Sequence, residues 1–87
     1  MKTVTLTELS APGCEHCKTF EKFWSSIEKE WPNVNYKNLN VTTSEGQELA
    51  SKHMIMTSPG IVINGELFST GGVNTKQLLE KLKELSE

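Results

Sequence analysis

The stretch Ser10-Ala11-Pro12-Gly13-Cys14-Glu15-His16-Cys17 decides how this chain is read. Before it the sequence alternates apolar and polar residues; after it apolar residues recur at helical spacing, so an extended segment hands over to a helix here. On the N-terminal side, Val4 and Leu6 alternate with Thr3, Thr5 and Thr7, the β-branched, period-two pattern of a strand. On the C-terminal side, Cys17, Phe20, Phe23, Trp24, Ile27 and Trp31 fall three and four residues apart, which predicts a helix from about Glu15 to Trp31. Pro32-Asn33 is expected to stop it, since proline cannot extend the hydrogen-bond ladder and disfavours helix in the residue before it.

Further along, Val34, Tyr36, Leu39 and Val41 predict a second strand whose alternation slips between Tyr36 and Leu39, a sign of burial on both faces or of a bulge. Thr42-Thr43-Ser44-Glu45 offers hydroxyl caps to a short helix through about His53, with Gly46 an unfavourable residue near its start. Ser58-Pro59-Gly60 introduces the apolar run Ile61-Val62-Ile63, and Asn64-Gly65 signals a tight hairpin into Glu66-Leu67-Phe68-Ser69. After Gly71-Gly72, Asn74-Thr75-Lys76-Gln77 is suited to open a last helix with Leu78, Leu79, Leu82 and Leu85 on one face. The order β-α-β-α-β-β-α contains a crossover that makes two strands parallel and a hairpin that adds an antiparallel edge. This predicts an α/β fold, a four-stranded mixed sheet with helices on both faces, in one domain spanning residues 1–87.

Composition limits the functions open to such a fold. Nine lysines against eleven glutamates leave a net charge of -2, with no broad basic surface for a phosphate backbone, so nucleic acid is not an expected partner. No apolar run approaches the roughly 20 residues needed to cross a bilayer, and the first residues lack the continuous apolar stretch of a signal peptide. A soluble, cytoplasmic monomer that needs no cofactor is expected. The two cysteines are three positions apart; a bridge between them closes almost none of the chain and adds little stability, which points to chemistry instead.

That chemistry follows from position. A thiol at the start of a helix faces unpaired backbone N–H groups and the positive end of the helix dipole, so its thiolate is favoured. Cys14, at the cap, is the expected nucleophile. Cys17, one turn in on the stripe of Phe20, Trp24 and Ile27, is expected to be more buried and to resolve the mixed disulfide that Cys14 forms with a substrate. His16, when protonated, favours the Cys14 thiolate, whereas Glu15 suits the helix terminus but opposes a nearby thiolate.

The motif Pro-Gly-Cys-Glu-His-Cys after a first strand, followed by Thr57-Ser58-Pro59, Asn64-Gly65 and Gly71-Gly72, resembles the thioredoxin-fold superfamily in its compact glutaredoxin-like or short thioredoxin-like form. The resemblance spans nearly the whole chain. It implies a thiol-disulfide oxidoreductase acting on protein or small-thiol disulfides, reset by an upstream reductase of the thioredoxin reductase or glutathione type. It also implies that Pro59 is a cis-proline beside the thiols, with Thr57, Ser58, Gly71 and Gly72 along the substrate groove and the Ser58 backbone offered to an extended substrate chain. Glu8, six residues before Cys14, matches a buried carboxylate that moves protons to or from the resolving thiol; its phase with Val4 and Leu6 places it inside, and the competing reading is a strand-end glutamate turned to solvent.

Features usual in glutathione-using members are missing: Ala11-Pro12-Gly13 contains no basic residue, His16 stands where tyrosine is usual, and Asn74 stands near an expected acid. Two other readings remain. One is a binding module of the same fold whose thiols turn over little. The other is a metal site drawing on Cys14, His16, Cys17 and His53, which lacks the second ligand pair that a structural zinc site requires.

Overall fold

The computed structural model describes residues Met1–Glu87. Four strands, β1 (Val4–Ser10), β2 (Val34–Asn40), β3 (Gly60–Ile63) and β4 (Glu66–Thr70), form one sheet in the order β2-β1-β3-β4. β1 and β2 run parallel, joined through α1 (Glu15–Ile27); β3 lies antiparallel to β1, and β4 antiparallel to β3. α2 (Ser44–His53) separates β2 from β3, and α3 (Thr75–Ser86) closes the chain. This is the mixed α/β architecture expected from the residue pattern.

The even residues of β1 make one face of the sheet the main core. Val4 and Leu6 pack there with Ile61 and Ile63 of β3, Phe20 and Trp24 of α1, and Leu78 and Leu82 of α3, all buried. Burial of each such side chain contributes about 1.5–3 kcal/mol, which is where most of the driving force for this small sheet resides. α2 covers the opposite face against β1 and β2. Gly46, near its start, explains why a residue unfavourable to helices is used. A Cβ at this position would collide with the backbone carbonyl of Asn40, so glycine lets α2 lie directly on the end of β2.

Three local details differ from the sequence-based expectation. The first helix ends at Ile27, four residues early, and continues as a single 3₁₀ turn, Glu28–Glu30, before Trp31. Its aromatic periodicity carried the pattern past the point at which the backbone tightens ahead of Pro32. β2 contains no bulge: its register with β1 is unbroken from Val34 to Asn40, and its slipped alternation reflects cover on both faces, with Tyr36 against Trp24 of α1 and Leu39 beside Leu49 of α2. The irregularity lies in the hairpin, where Phe68 is an extra residue in β4 opposite the Ile61–Val62 step. Asn64 and Gly65 both have positive φ, the turn geometry that matches the twist of a two-residue hairpin.

At the start of β1, the Lys2 N–H donates to the Ser86 carbonyl, and the Asn33 side-chain amide bridges the Lys2 carbonyl and the Ser86 hydroxyl. Both ends of the chain are thereby held at one pole of the sheet. No helix is long and apolar enough to cross a membrane.

Candidate active site

The opposite pole, where β1 runs out, carries the sulfur pair. Cys14 is the N-cap of α1, and its Sγ accepts a hydrogen bond from the Cys17 N–H at 3.1 Å. A sulfur thus occupies the place usually held by a Ser, Thr, Asp or Asn oxygen, facing the unpaired N–H groups of a helix start. Cys14 and Cys17 are joined as a disulfide with their Cα atoms 5.2 Å apart. They differ in access: Cys14 is half-buried, whereas Cys17 is 2% exposed. The buried sulfur lies behind the accessible one.

Loop residues preceding β3 cross in front of the helix start. The Ser58–Pro59 bond is cis and Pro59 is buried. The Ser58 hydroxyl donates to Cys14 Sγ at 3.2 Å. Cys14 therefore receives two donors, one from its own helix and one from a residue forty-four positions away. Both stabilise negative charge on sulfur.

Thr57 is exposed and stands beside Gly71, where a Cβ would meet its Oγ1 at 3.6 Å. Gly72 lines a shallow groove between α1 and the loop before α3, together with His16 and Phe23. A second groove, on the other side of Ser58, is lined by Leu9, Ile55 and Met56. Met56 is 90% exposed, so apolar surface adjoins Ser58. The tuning residues are placed less directly. Glu15 is exposed and pairs with Lys18 at 3.7 Å. His16 is exposed and makes no hydrogen bond to either sulfur, so any influence it has on them is through charge alone.

Glu8 is fully buried. Its Oε1 accepts a hydrogen bond from the Tyr36 hydroxyl, while its Oε2 is buried without a donor. Burial, reinforced by the neighbouring Glu21 carboxyl and opposed by the Tyr36 hydrogen bond, pushes the Glu8 carboxyl up to about 8. Burial and the same Glu8 carboxyl push the Tyr36 hydroxyl up as well, so tyrosine remains the donor of this pair. Around them, Ser10 Oγ donates to Asn38 Oδ1 at 2.6 Å and Asn38 Nδ2 donates to Glu21 at 3.3 Å.

Sequence reasoning identified Glu8 from its strand phase but not its companions. In the sequence Tyr36 is one apolar position of a strand, and nothing marks Glu21, although it lies four residues after Cys17 and so on the same helix face. The resemblance singles out the Ser58 backbone, not its hydroxyl. No group of three or more His, Cys, Asp and Glu side chains converges to hold a metal ion; His53, at the end of α2, is remote in the chain from the two cysteines.

Comparison with known proteins bears on the family and the fold. Residues 5–84 match the family described as Thioredoxin domain. A protein named Thioredoxin from Methanocaldococcus jannaschii is 29% identical over 97% of this chain and 98% of its own length. A Probable Thioredoxin from Archaeoglobus fulgidus is 35% identical over 92% of this chain and 90% of its own. Among solved structures, Fasciola hepatica thioredoxin superposes with a TM-score of 0.75 at 22% identity, covering 94% of this chain and 80% of that one. Oxidised mitochondrial thioredoxin 3 from Saccharomyces cerevisiae gives 0.76 at 20% identity, covering 98% and 81%.

Proposed function

The chain belongs to the thioredoxin domain family, and on that footing we propose that it is a dithiol-disulfide oxidoreductase for protein disulfides in which Cys14 attacks and Cys17 resolves. The observation that carries the reading is the unequal placement of the two sulfurs: Cys14 accessible at the helix cap and doubly hydrogen-bonded, Cys17 buried behind it.

In the reduced protein, the Cys14 thiolate attacks one sulfur of the substrate disulfide. A new sulfur–sulfur bond forms to Cys14, the substrate bond breaks, and the departing thiolate takes a proton from water. Cys17 then loses its proton to the Glu8 carboxylate and attacks Cys14 Sγ, which closes the Cys14–Cys17 bridge and expels the second substrate thiol. Two electrons pass from the dithiol to the substrate. An upstream reductase returns them through the same sulfurs in reverse. The segment Thr57-Ser58-Pro59 presents an edge to an extended substrate chain, and the apolar surface at Ile55 and Met56 accommodates its side chains.

No lysine lines the groove beside His16 and Gly72, and Asn74 is occupied as the N-cap of α3, accepting from the Gln77 N–H. Glutathione, with two carboxylates, finds no permanent cation there, which favours a reductase of the thioredoxin reductase class over the glutathione system. Turnover of insulin disulfides should be supported by thioredoxin reductase and NADPH and not by glutathione with its reductase, and should be lost in Cys14→Ser. Turnover that survives Cys14→Ser would refute the nucleophile assignment, and absence of turnover with either system would favour a binding module.

A further inference from the structure

In the exchange proposed above, Cys17, a buried thiol, gives up a proton, and Glu8, a buried carboxyl, must be ionised in time to take it. What surrounds Glu8 therefore governs the step. From β2 come the Tyr36 hydroxyl, which donates to Oε1, and Asn38, the cross-strand partner of Glu8. From β3 comes Ile61, which is apolar. From α1 comes the Glu21 carboxyl, with Cys17 one turn before it. No cation offsets the two acids: Lys18 and Lys22 on α1 and Lys37 on β2 are exposed, and Lys18 and Lys37 pair with Glu15 and Glu45.

A hydrogen bond from β2 reaches Glu21. Asn38 Nδ2 donates to it at 3.3 Å, and Asn38 Oδ1 is held by Ser10 Oγ at 2.6 Å, so the two β1 residues on the same face, Glu8 and Ser10, bracket the amide that holds the helix carboxyl. Glu21 is half-buried whereas Glu8 is fully buried. Glu8 Oε2 has no donor, and Asn38, the cross-strand partner of Glu8, holds the Glu21 carboxyl alongside it; two carboxyl groups so placed are reconciled by a proton between them.

We propose that Glu21 is a positioning residue for disulfide exchange: its carboxyl shares one proton with Glu8 and so controls when Glu8 is free to accept the proton of Cys17. This rests on the reading of Cys14 and Cys17 above. Proton balance is simple. The shared proton leaves Glu8 through Glu21 to water, the Cys17 proton then moves to Glu8, and the Cys17 thiolate attacks Cys14 Sγ.

The sign of the effect separates this role from a structural one. The Glu21 charge and contact raise Glu8, so replacing Glu21 by an uncharged residue lowers the pH at which Glu8 ionises. A fall of about one unit from about 8 raises the ionised fraction at pH 7 from about one-tenth to about one-half, roughly fivefold. Loosened packing around the buried thiol would not combine a shifted midpoint with an unchanged alkaline limit.

The test is stopped-flow reaction of the reduced protein with a chromogenic aryl disulfide from about pH 6 to about pH 9. The first aryl thiolate released reports attack by Cys14, and the second reports closure by Cys17. In E21Q the second phase should run about fivefold faster at pH 7, with its midpoint about one pH unit lower, and converge on wild type near the alkaline limit, while the first phase is unchanged. Glu21→Ala should behave likewise, and Glu21→Asp should retain the wild-type midpoint. A second-phase midpoint unmoved in both E21Q and Glu21→Ala would overturn the proposal. A second phase that persists in Cys17→Ser would instead overturn the resolving role of Cys17, and the proposal with it.

Discussion

A carboxyl group that folding raises from 4.5 to about 8 must make the stability of this protein depend on pH, with a sign opposite to that of a salt-bridged acid. Between these two values the folded state holds a proton on Glu8 that the unfolded state has lost, so each rise of one pH unit favours unfolding by about 1.4 kcal/mol. The contribution is intact below about pH 4.5 and disappears as pH climbs through about 8. Across that interval of about 3.5 units the loss amounts to about 5 kcal/mol, a large share of the 5–15 kcal/mol typical of a domain. Glu8→Gln removes the ionisation and keeps an oxygen for the Tyr36 hydroxyl. The assay is urea unfolding of the oxidised protein at intervals from about pH 5 to about pH 9, a form in which the bridged sulfurs do not titrate. Wild type should weaken steadily with rising pH, whereas Glu8→Gln should be nearly level. The difference between the two should change by at least 2 kcal/mol over this range. Parallel profiles would refute the burial of an ionisable Glu8 and, with it, the argument for a proton acceptor behind the sulfurs.

Two further outcomes test other parts of the structure. Gly46→Ala drives a methyl group into the Asn40 carbonyl and should destabilise the fold by about 1–3 kcal/mol, read as a lower urea midpoint with an unchanged denaturant slope. Ser58→Ala removes the hydroxyl that donates to Cys14 Sγ at 3.2 Å; the pH midpoint for iodoacetamide modification of Cys14 should rise by about half a unit or more, and an unaltered midpoint would mean that the cap N–H alone supports the thiolate.

Much of this fold is legible because its local signals agree with one another. Period-two alternation in β1, the Thr43 cap and the Asn64-Gly65 turn each act over a few residues, and each sets an element where the sequence pattern expects it. Glu8 was readable for the same reason: strand phase alone places it with Val4 and Leu6. What escaped depends on distant parts of the chain. The length of α1 was overread because aromatic spacing continues beyond the last α-helical hydrogen bonds, and a 3₁₀ turn preserves that spacing while changing the backbone. Gly46 looks like a flaw until the approach of α2 to Asn40 is known. Glu21 resembles any solvated helix carboxylate in one dimension; only the pairing of β1 with β2 brings Asn38 underneath it. The donation from Ser58 requires the loop before β3 to arrive at the start of α1, a meeting that no window of neighbouring residues encodes.

The clasp formed by Lys2, Asn33 and Ser86 also bears on handling of the protein. It lies a full strand away from the sulfurs, about 20 Å along β1 at roughly 3.3 Å per residue. A tag, a fused neighbour or an electrode linker attached at either extremity departs from that far side. The reactive pole then remains turned toward free solution, whichever extremity is anchored.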